Sequence, residues 1–488
     1  MPQGQHPGGQ LGTVTVGADQ KIGRGTWLAL VAMGLGVFVI ANDFTALAVA
    51  IPKIDADLHT TLNHAQWVIN GYALVFGVLI VTGGRLADLF GRKRIFMIGA
   101  AIFGVFSLLC GLMPDIDLLI ACRALMGVGG ALMWPAILGM TYALLPTAKK
   151  GLAGGLIIGV AGFGNTVGPL LGGWLTDAAS WRLVFFINLP VTAFAMLVTQ
   201  RLVPADRGAS GDHGIDYPGI SLVSAGAVAV LVALDLAKED GYGSPLILVL
   251  LCGGVALLGV FFVAERRQGA KALVPPDVLG NRVFAICCLV VLLQSAIFFT
   301  ALLYLPQYMT VVLHYSAIKS GAGLLPMMAL FGAASFVAGA LYGHVGAKVA
   351  VSAGAATLAI GVFLLSFLRA DSGYLWLVPG MCVLGIGVGL FYSSVTTAAV
   401  TALDPSRASL AGGIVYMCQI GGGAIGLGIN TAIVFSAGSL SSGIALAFRV
   451  DAALALLGFV LSVAFVHGPK RSPAHRAAEH PGHHRVRA

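Results

Sequence analysis

Two charged residues sit where charge is expensive. Asp43 is the one charge in the apolar run 27–51, and Arg123 the one charge in the run 118–144. A charged side chain at the centre of a lipid-buried helix costs about 2.5–3.5 kcal/mol, so such residues face the protein interior or a water-filled cavity. Burial favours the neutral form of an acid, while a nearby guanidinium favours the carboxylate. An arginine that moves relative to Asp43 would switch it between holding and releasing a proton, and the arginine would keep its own charge throughout. On residue type alone, Asp43 also fits a cap or interface group, and Arg123 a hydrogen-bond hub. Asn70, Tyr72, Trp134, Asn165, Gln294, Tyr304, Tyr392, Gln419 and Asn430 lie in similar runs. They either bond helix to helix or line a cavity. A cavity rich in aromatics and poor in charge suits amphipathic or hydrophobic cargo. With Asp43 in it, a monovalent cation fits, as does a neutral or zwitterionic molecule. Asp235 and Asp451 fall near the ends of apolar runs and read as interfacial, with Asp235 a secondary candidate.

The elements that must position these residues follow from composition. The 488-residue chain is 58% hydrophobic and only 10% charged, against about 25% charged in soluble domains. Lipid must be the solvent for most of it. The 67 glycines agree, because glycine lets membrane helices approach closely. All seven cysteines lie in apolar stretches, so no disulfide framework is expected.

A bilayer core takes roughly 20 apolar residues per helix. The apolar runs give fourteen spans: 27–51, 65–84, 95–113, 118–144, 151–175, 183–202, 217–236, 245–263, 284–309, 321–342, 349–368, 376–403, 410–435 and 447–466. They lack the alternation of a barrel and must be helices. With both ends cytoplasmic, twenty-one Lys and Arg fall on the inner side and six on the outer, and Arg123 stays in the membrane. The formal charge of +8 is thus a topology signal, and no nucleic-acid partner is expected.

The chain repeats itself. Leu152-Ala153-Gly154-Gly155 recurs 258 residues later as Leu410-Ala411-Gly412-Gly413, and Gly127 and Gly129 match Gly385 and Gly387 at the same offset. Gly84 and Gly91 are echoed by Gly339 and Gly346. Parallel halves with a substrate site between them are a transporter architecture. The expected organisation is a disordered cytoplasmic lead (1–26), an N-terminal six-helix half (27–202), a linker with two extra helices (203–282), a C-terminal six-helix half (283–466) and a basic, His-rich cytoplasmic tail (467–488). The tail histidines are read as solvated, with no metal assigned.

The segment Gly84-Arg85-Leu86-Ala87-Asp88-Leu89-Phe90-Gly91-Arg92-Lys93-Arg94 resembles the loop motif of the major facilitator superfamily. Its glycines allow a tight turn, and Asp88 suits a helix N-terminus or a basic partner. The resemblance implies that Gly84, Asp88, Gly91 and Arg92 latch the two halves when the outside is open. The second copy has Gly343 in place of Asp88, leaving one latch intact. Three further stretches resemble the fourteen-helix drug:proton antiporters of that superfamily. These are Asp43 to Pro52 (with Ala48 where that family often has Asn), Arg123 with Gly127, and the helix 5 set Gly164, Gly168, Pro169 and Gly172. The helix 5 glycines recur every four residues and form one smooth face. The segment Trp181-Arg182-Leu183-Val184-Phe185-Phe186-Ile187-Asn188-Leu189-Pro190 is similar to the same branch.

The resemblance implies an all-α integral membrane protein of the plasma membrane, with the major facilitator fold and fourteen transmembrane helices. Asp43 and Arg123 would couple protons to cargo, and the proton gradient would replace any cofactor. The expected cargo is a small amphipathic molecule, exported by a monomer. A proton-coupled importer or exporter of one metabolite is the alternative. An ATP-driven pump needs a phosphate loop ending in Gly-Lys, and none of the ten lysines follows a glycine. No zinc-enzyme HExxH motif is present.

Overall fold

The computed structural model describes residues 23–146, 149–206, 216–240, 243–268 and 272–466. The expected lead up to residue 22 and the expected tail from residue 467 lie outside the described residues, as does the side chain of Asp235. Among the described residues there are helices and no strands.

Among the described residues, twelve helices are long and apolar enough to cross a membrane. One of them merges two, because the 41-residue element Leu325–Leu365 breaks at Gly346 (φ 80°, ψ 163°). The shorter apolar helix Tyr217–Ala233 continues in regular geometry to Asp240. Counted this way there are fourteen. They are α1 (Arg24–Asp57), α2 (Leu62–Phe90), α3 (Arg92–Leu112), α4 (Ile116–Leu144), α5 (Lys150–Ala178), α6 (Leu183–Leu202) and α7 (Tyr217–Asp240). Then come α8 (Pro245–Gln268), α9 (Arg282–Val311), α10 (325–345), α11 (347–365), α12 (Tyr374–Thr401), α13 (Ala408–Ser436) and α14 (Leu440–Phe465). α1 starts at Arg24, inside the segment expected to be a lead.

The helix ends carry their own stop signals. Asp115 caps α4 by accepting from the amides of Asp117 and Leu118, and Ser439 and Ser442 form a reciprocal capping pair on α14. Gly91 (φ 98°) and Gly346 (φ 80°) are the glycines of positive φ among the described residues. They occupy equivalent turns, α2 to α3 and α10 to α11, so the repeat is visible in the backbone as well as in sequence.

The packing repeats too. α1 lies on α5 and α6, and α4 on α2 and α3. In the second set α9 lies on α13 and α14, and α12 on α10 and α11. The two sets meet where α2 lies on α13 and α5 on α10. The second contact is close because it is glycine on glycine: a Cβ added at Gly339 would sit 2.8 Å from Gly155 Cα and 2.7 Å from the Gly151 carbonyl oxygen. α7 and α8 pack on each other, and α7 also touches α2 and α13, so the extra pair covers one seam. Its base is tied down by two buried acids. Asp216 accepts from the amides of Gly219 and Leu273, and Glu265 from that of Val274.

Large apolar side chains cover the outside, among them Leu375 (83% exposed) and Phe435 (81%). In water these would be a liability, whereas lipid solvates them. An even number of crossings brings both described ends to one face, termed the latch face because the α2–α3 turn lies on it. One reading made from sequence is corrected here. Asp451 is not interfacial: it is fully buried near the middle of α14.

Candidate functional site

The contact expected to serve as a latch is assembled from α2, α3, α4 and the start of α13. Asp88 Oδ1 accepts from Arg92 Nε (3.1 Å) and the Ser409 amide (3.2 Å), and its Oδ2 accepts from the Leu410 amide (2.8 Å). The carboxylate thus sits at the N-terminus of α13, where free amides and the helix dipole favour negative charge. Arg92 goes on to donate to the carbonyls of Gly139 (3.2 Å) and Pro405 (2.5 Å). Gly84 belongs to the same contact, since a Cβ there would meet the Ser409 carbonyl oxygen at 2.6 Å. The turn presenting Pro405 is held by Asp404, which accepts from the Ser406 amide (2.8 Å). Bonds from the Ser406 hydroxyl and amide hold the Asp404 carboxyl below the usual carboxylate range. Gly91 turns the chain so that the amides of Arg92 and Lys93 reach the Asp206 carboxylate. Sequence reasoning passed over Asp206, which lies in a polar loop with nothing to mark it.

On the other side of the latch the halves separate around a cavity of about 490 Å³. Its wall comes from the outer parts of α2 and α13, the middle of α1, α5 and α9, and the start of α10. These stretches all lie away from the latch face. Phe76, Trp134 and Tyr416 stand together on the latch side of it, with Trp134 and Tyr416 rings 4.3 Å apart and Phe76 edge-on to both. The polar residues of the wall are Thr45, Asn70, Asn165, Gln419 and Thr431; Trp67, Trp134 and Tyr416 are among its aromatics; and no charged side chain lines it among the described residues. Leu231 and Val232 of α7 close one side.

Of the cavity candidates read from sequence, Asn70, Trp134, Asn165 and Gln419 therefore line it. The others do not, and each has a physical reason. Tyr72 stands one layer behind Phe44, edge-on to it at 4.9 Å. Gln294 donates to the Ala455 carbonyl (3.3 Å) and ties α9 to α14. Tyr304 donates to Thr431 (2.8 Å) and Tyr392 to Ser295 (2.9 Å). Asn430 donates to Thr300 and Asp451. These are helix-to-helix bonds in the second half, the other of the two uses such residues have.

Asp43 and Arg123 form a pair with no solvent exposure, Arg123 Nη1 donating to Asp43 Oδ2 at 2.5 Å. Arg123 Nε donates to the Val68 carbonyl (2.8 Å), and its guanidinium lies 4.3 Å from the Tyr72 ring centroid. The second carboxylate oxygen of Asp43 accepts from Asn188 Nδ2 (3.3 Å). Asn188 also donates to Ser107 (3.2 Å), which donates to the Phe185 carbonyl (2.8 Å). Five helices of the first half thus share one polar knot. Asp43 does not line the cavity, although its neighbours Phe44 and Thr45 do. The expected acid in the cavity wall is instead one side chain behind it. Asn188 and Ser107 were missed as site residues; the signal for Asn188 was its place in the Trp181–Pro190 segment.

Gly164, Gly168 and Gly172 all face α1 along the stretch that carries Asp43. A Cβ at Gly164 would meet Ala41 Cβ and the Phe38 carbonyl oxygen at 3.1 Å, and one at Gly168 the Ala46 amide at 3.0 Å. Pro169 lies inside α5 beside this contact. At the far end of α1, Asp57 accepts from Trp181 Nε1 (3.0 Å) and Arg182 Nη1 (2.6 Å), so the Trp-Arg segment clamps α1 to α6.

Comparison with known proteins agrees with this architecture. The family model described as Major Facilitator Superfamily matches residues 33–427 and, in a second match, 333–488. Puromycin resistance protein pur8 of Streptomyces alboniger is 33% identical over 91% of this chain and 88% of its own length. Cephamycin export protein CmcT of Amycolatopsis lactamdurans is 32% identical over 93% of this chain and 94% of its own. The crystal structure of the human organic anion transporter MFSD10 (TETRAN) superposes with a TM-score of 0.64 at 13% identity, covering 90% of this chain and 99% of that one, a likeness of fold. The chain belongs to the Major Facilitator Superfamily and is a many-span membrane transporter.

Proposed function

We propose that the protein exports small amphipathic molecules in exchange for protons, by alternating access between its two halves. The observation that carries this reading is the neutral cavity, walled by aromatics and amides, with a buried Asp–Arg pair directly behind it. Aromatic faces take up hydrophobic and delocalised cargo, and a few amides orient it without demanding one shape. The naming of two relatives for antibiotic resistance and export supports the outward direction. The latch face is taken as cytoplasmic from the Lys and Arg count, so the structure corresponds to the outward-facing state.

Coupling follows from the electrostatics of the knot. Arg123 is the counter-ion of Asp43, so the pair neutralises itself, and Asn188 donates to the second carboxylate oxygen. Separating the two leaves a buried carboxylate without a counter-ion, and taking up a proton then becomes the cheaper course. Gly164, Gly168 and Gly172 let α1 and α5 slide against each other, and Asp43 rides on α1. Cargo that presses Phe44 would push on Tyr72 behind it, whose ring lies against the Arg123 guanidinium, and so disturb the pair. Each proton entering across 100 mV supplies about 2.3 kcal/mol, enough for roughly a 50-fold gradient of neutral cargo. Both cavity walls come from one chain, which supports action as a monomer.

The test is proton flux in liposomes carrying an internal pH dye, with tetraphenylphosphonium or ethidium as cargo. Cargo-dependent proton movement in the wild type that disappears in Asp43→Asn is expected. Flux surviving unchanged in Asp43→Asn would move coupling off α1. Cargo transport with no proton movement would leave a uniporter.

A further inference from the structure

The first half is not alone in holding a buried carboxylate. Asp451 on α14 is fully buried, and its Oδ1 accepts from Asn430 Nδ2 on α13 at 2.9 Å. The same Nδ2 donates to Thr300 Oγ1 on α9 (2.6 Å), whose own hydroxyl donates to the Ala296 carbonyl (2.7 Å). This is the wiring of the first half over again. There, Asn188 Nδ2 donates both to Asp43 Oδ1 and to Ser107 Oγ, and the serine donates to a backbone carbonyl. Each half contains one carboxyl, one asparagine amide and one hydroxyl, all nearly or fully buried.

The difference lies at the other carboxyl oxygen. Asp43 Oδ2 receives Arg123. Asp451 Oδ2 is buried with no hydrogen-bond partner among the described residues, as is Asn430 Oδ1. Among the described residues no cation faces Asp451 from the helices packed on it: the α10–α11 stretch, which packs on α14, carries His344 and Lys348, both exposed, and the half-buried Tyr342. Arg449, two residues earlier, is exposed. Tyr304 on α9 is engaged with Thr431 on α13. Tyr392 on α12, which packs on α9, is engaged with Ser295. A bare carboxylate in such a place costs far more than a neutral acid. A proton on Oδ2 removes the charge and turns an unpartnered acceptor into a donor. Calcium takes about six to eight oxygen ligands, more than one carboxyl, one amide and one hydroxyl supply, and no group of three or more His, Cys, Asp or Glu that could hold a metal ion occurs among the described residues.

The site is also within reach of the cavity. Phe299 and Leu302 line it on α9 and flank Thr300, and Thr431 lines it next to Asn430. Asp451 therefore stands one layer behind the wall in the second half, as Asp43 does in the first. We infer that Asp451, with Asn430 and Thr300, is a second proton-binding site, which loads and unloads a proton as the cavity changes face. The transport role rests on the proton-exchange reading above, whereas the binding of a proton at Asp451 does not.

Two measurements on the full chain in liposomes separate these. The first is infrared spectroscopy during a pH titration, following the carbonyl stretch of protonated carboxylic acids. A titrating band is expected in the wild type and in Asp43→Asn, lost in Asp451→Asn, and displaced in pH in Asp451→Glu. A band unchanged in Asp451→Asn would overturn the site. The second counts protons moved per tetraphenylphosphonium ion. Asp451→Asn is expected to lose one proton per cycle, and an unchanged count would overturn its transport role. Absence of any proton movement in the wild type would overturn the exchange reading and that role together, while the infrared band would still decide whether Asp451 holds a proton.

Discussion

At the scale of the residue, the cost of a charge inside the membrane decides the behaviour of Asp43 and Arg123. Arg123→Ala leaves Asp43 buried and unpaired, and breaking such a pair from one side costs about 3–5 kcal/mol. Asp43→Asn with Arg123→Ala removes both charges and is expected to restore much of that loss, measured as the midpoint of unfolding in detergent for each single and the double variant. Equal instability of the double variant and Arg123→Ala would show that the pair is not the source. Arg123→Lys is not conservative here, because the guanidinium bonds Asp43 and Val68 at once and lies on Tyr72. The sequence announced Asp43 and Arg123, since a charge in an apolar run is visible without any fold. It did not announce Asn188 or Ser107, whose polarity is too mild to stand out. Asp451 was legible as a charge and misjudged in depth, because its distance from a helix end depended on where α14 began.

At the scale of the element, two glycines with the same backbone role have different surroundings. Gly346 has open space where a Cβ would go, whereas a Cβ at Gly91 would meet the Asp206 carbonyl oxygen at 2.8 Å. Gly346→Ala is therefore expected to cost only the strain of its positive φ, about 1–3 kcal/mol. Gly91→Ala should cost more, because the clash adds to the strain; thermal unfolding of the two variants side by side checks the order. The latch makes its own prediction. Asp88 accepts two amide bonds across the halves, and bonds to a charged group contribute about 1.5–3 kcal/mol each. Asp88→Ala is expected to shift the equilibrium toward the latch-open state by at least tenfold, since about 1.4 kcal/mol is a factor of ten. With the seven native cysteines replaced, labelling of Ser409→Cys, a near-isosteric change at a side chain buried against Gly139 in this state, would report the shift, and an unchanged labelling rate would contradict it. The helices were legible from their apolar runs. The break at Gly346 was marked by its echo of Gly91, but the partners of each helix were not, because helix pairing depends on surfaces far apart in the chain.

At the scale of the whole molecule, the neutral cavity sets the choice of cargo. Asn165→Asp places a carboxylate in that wall and is expected to favour cationic cargo over neutral cargo, read as the ratio of their transport rates; an unchanged ratio would mean cargo does not pass Asn165. The glycine repeat has a counterpart in the repeated helix packing, and a cavity lies between the two sets. The cavity wall was not legible in the sequence, since four of nine candidates reach it, four bond helix to helix and Tyr72 packs behind Phe44, a distinction made by the facing of each side chain. The central claim is that a proton gradient does work on cargo. The most direct measurement is the uphill movement of tetraphenylphosphonium in vesicles with an imposed pH difference and the membrane potential clamped to zero. The account predicts accumulation against the cargo gradient that collapses when the pH difference is abolished. Movement that only equilibrates the cargo, with or without the pH difference, would contradict it.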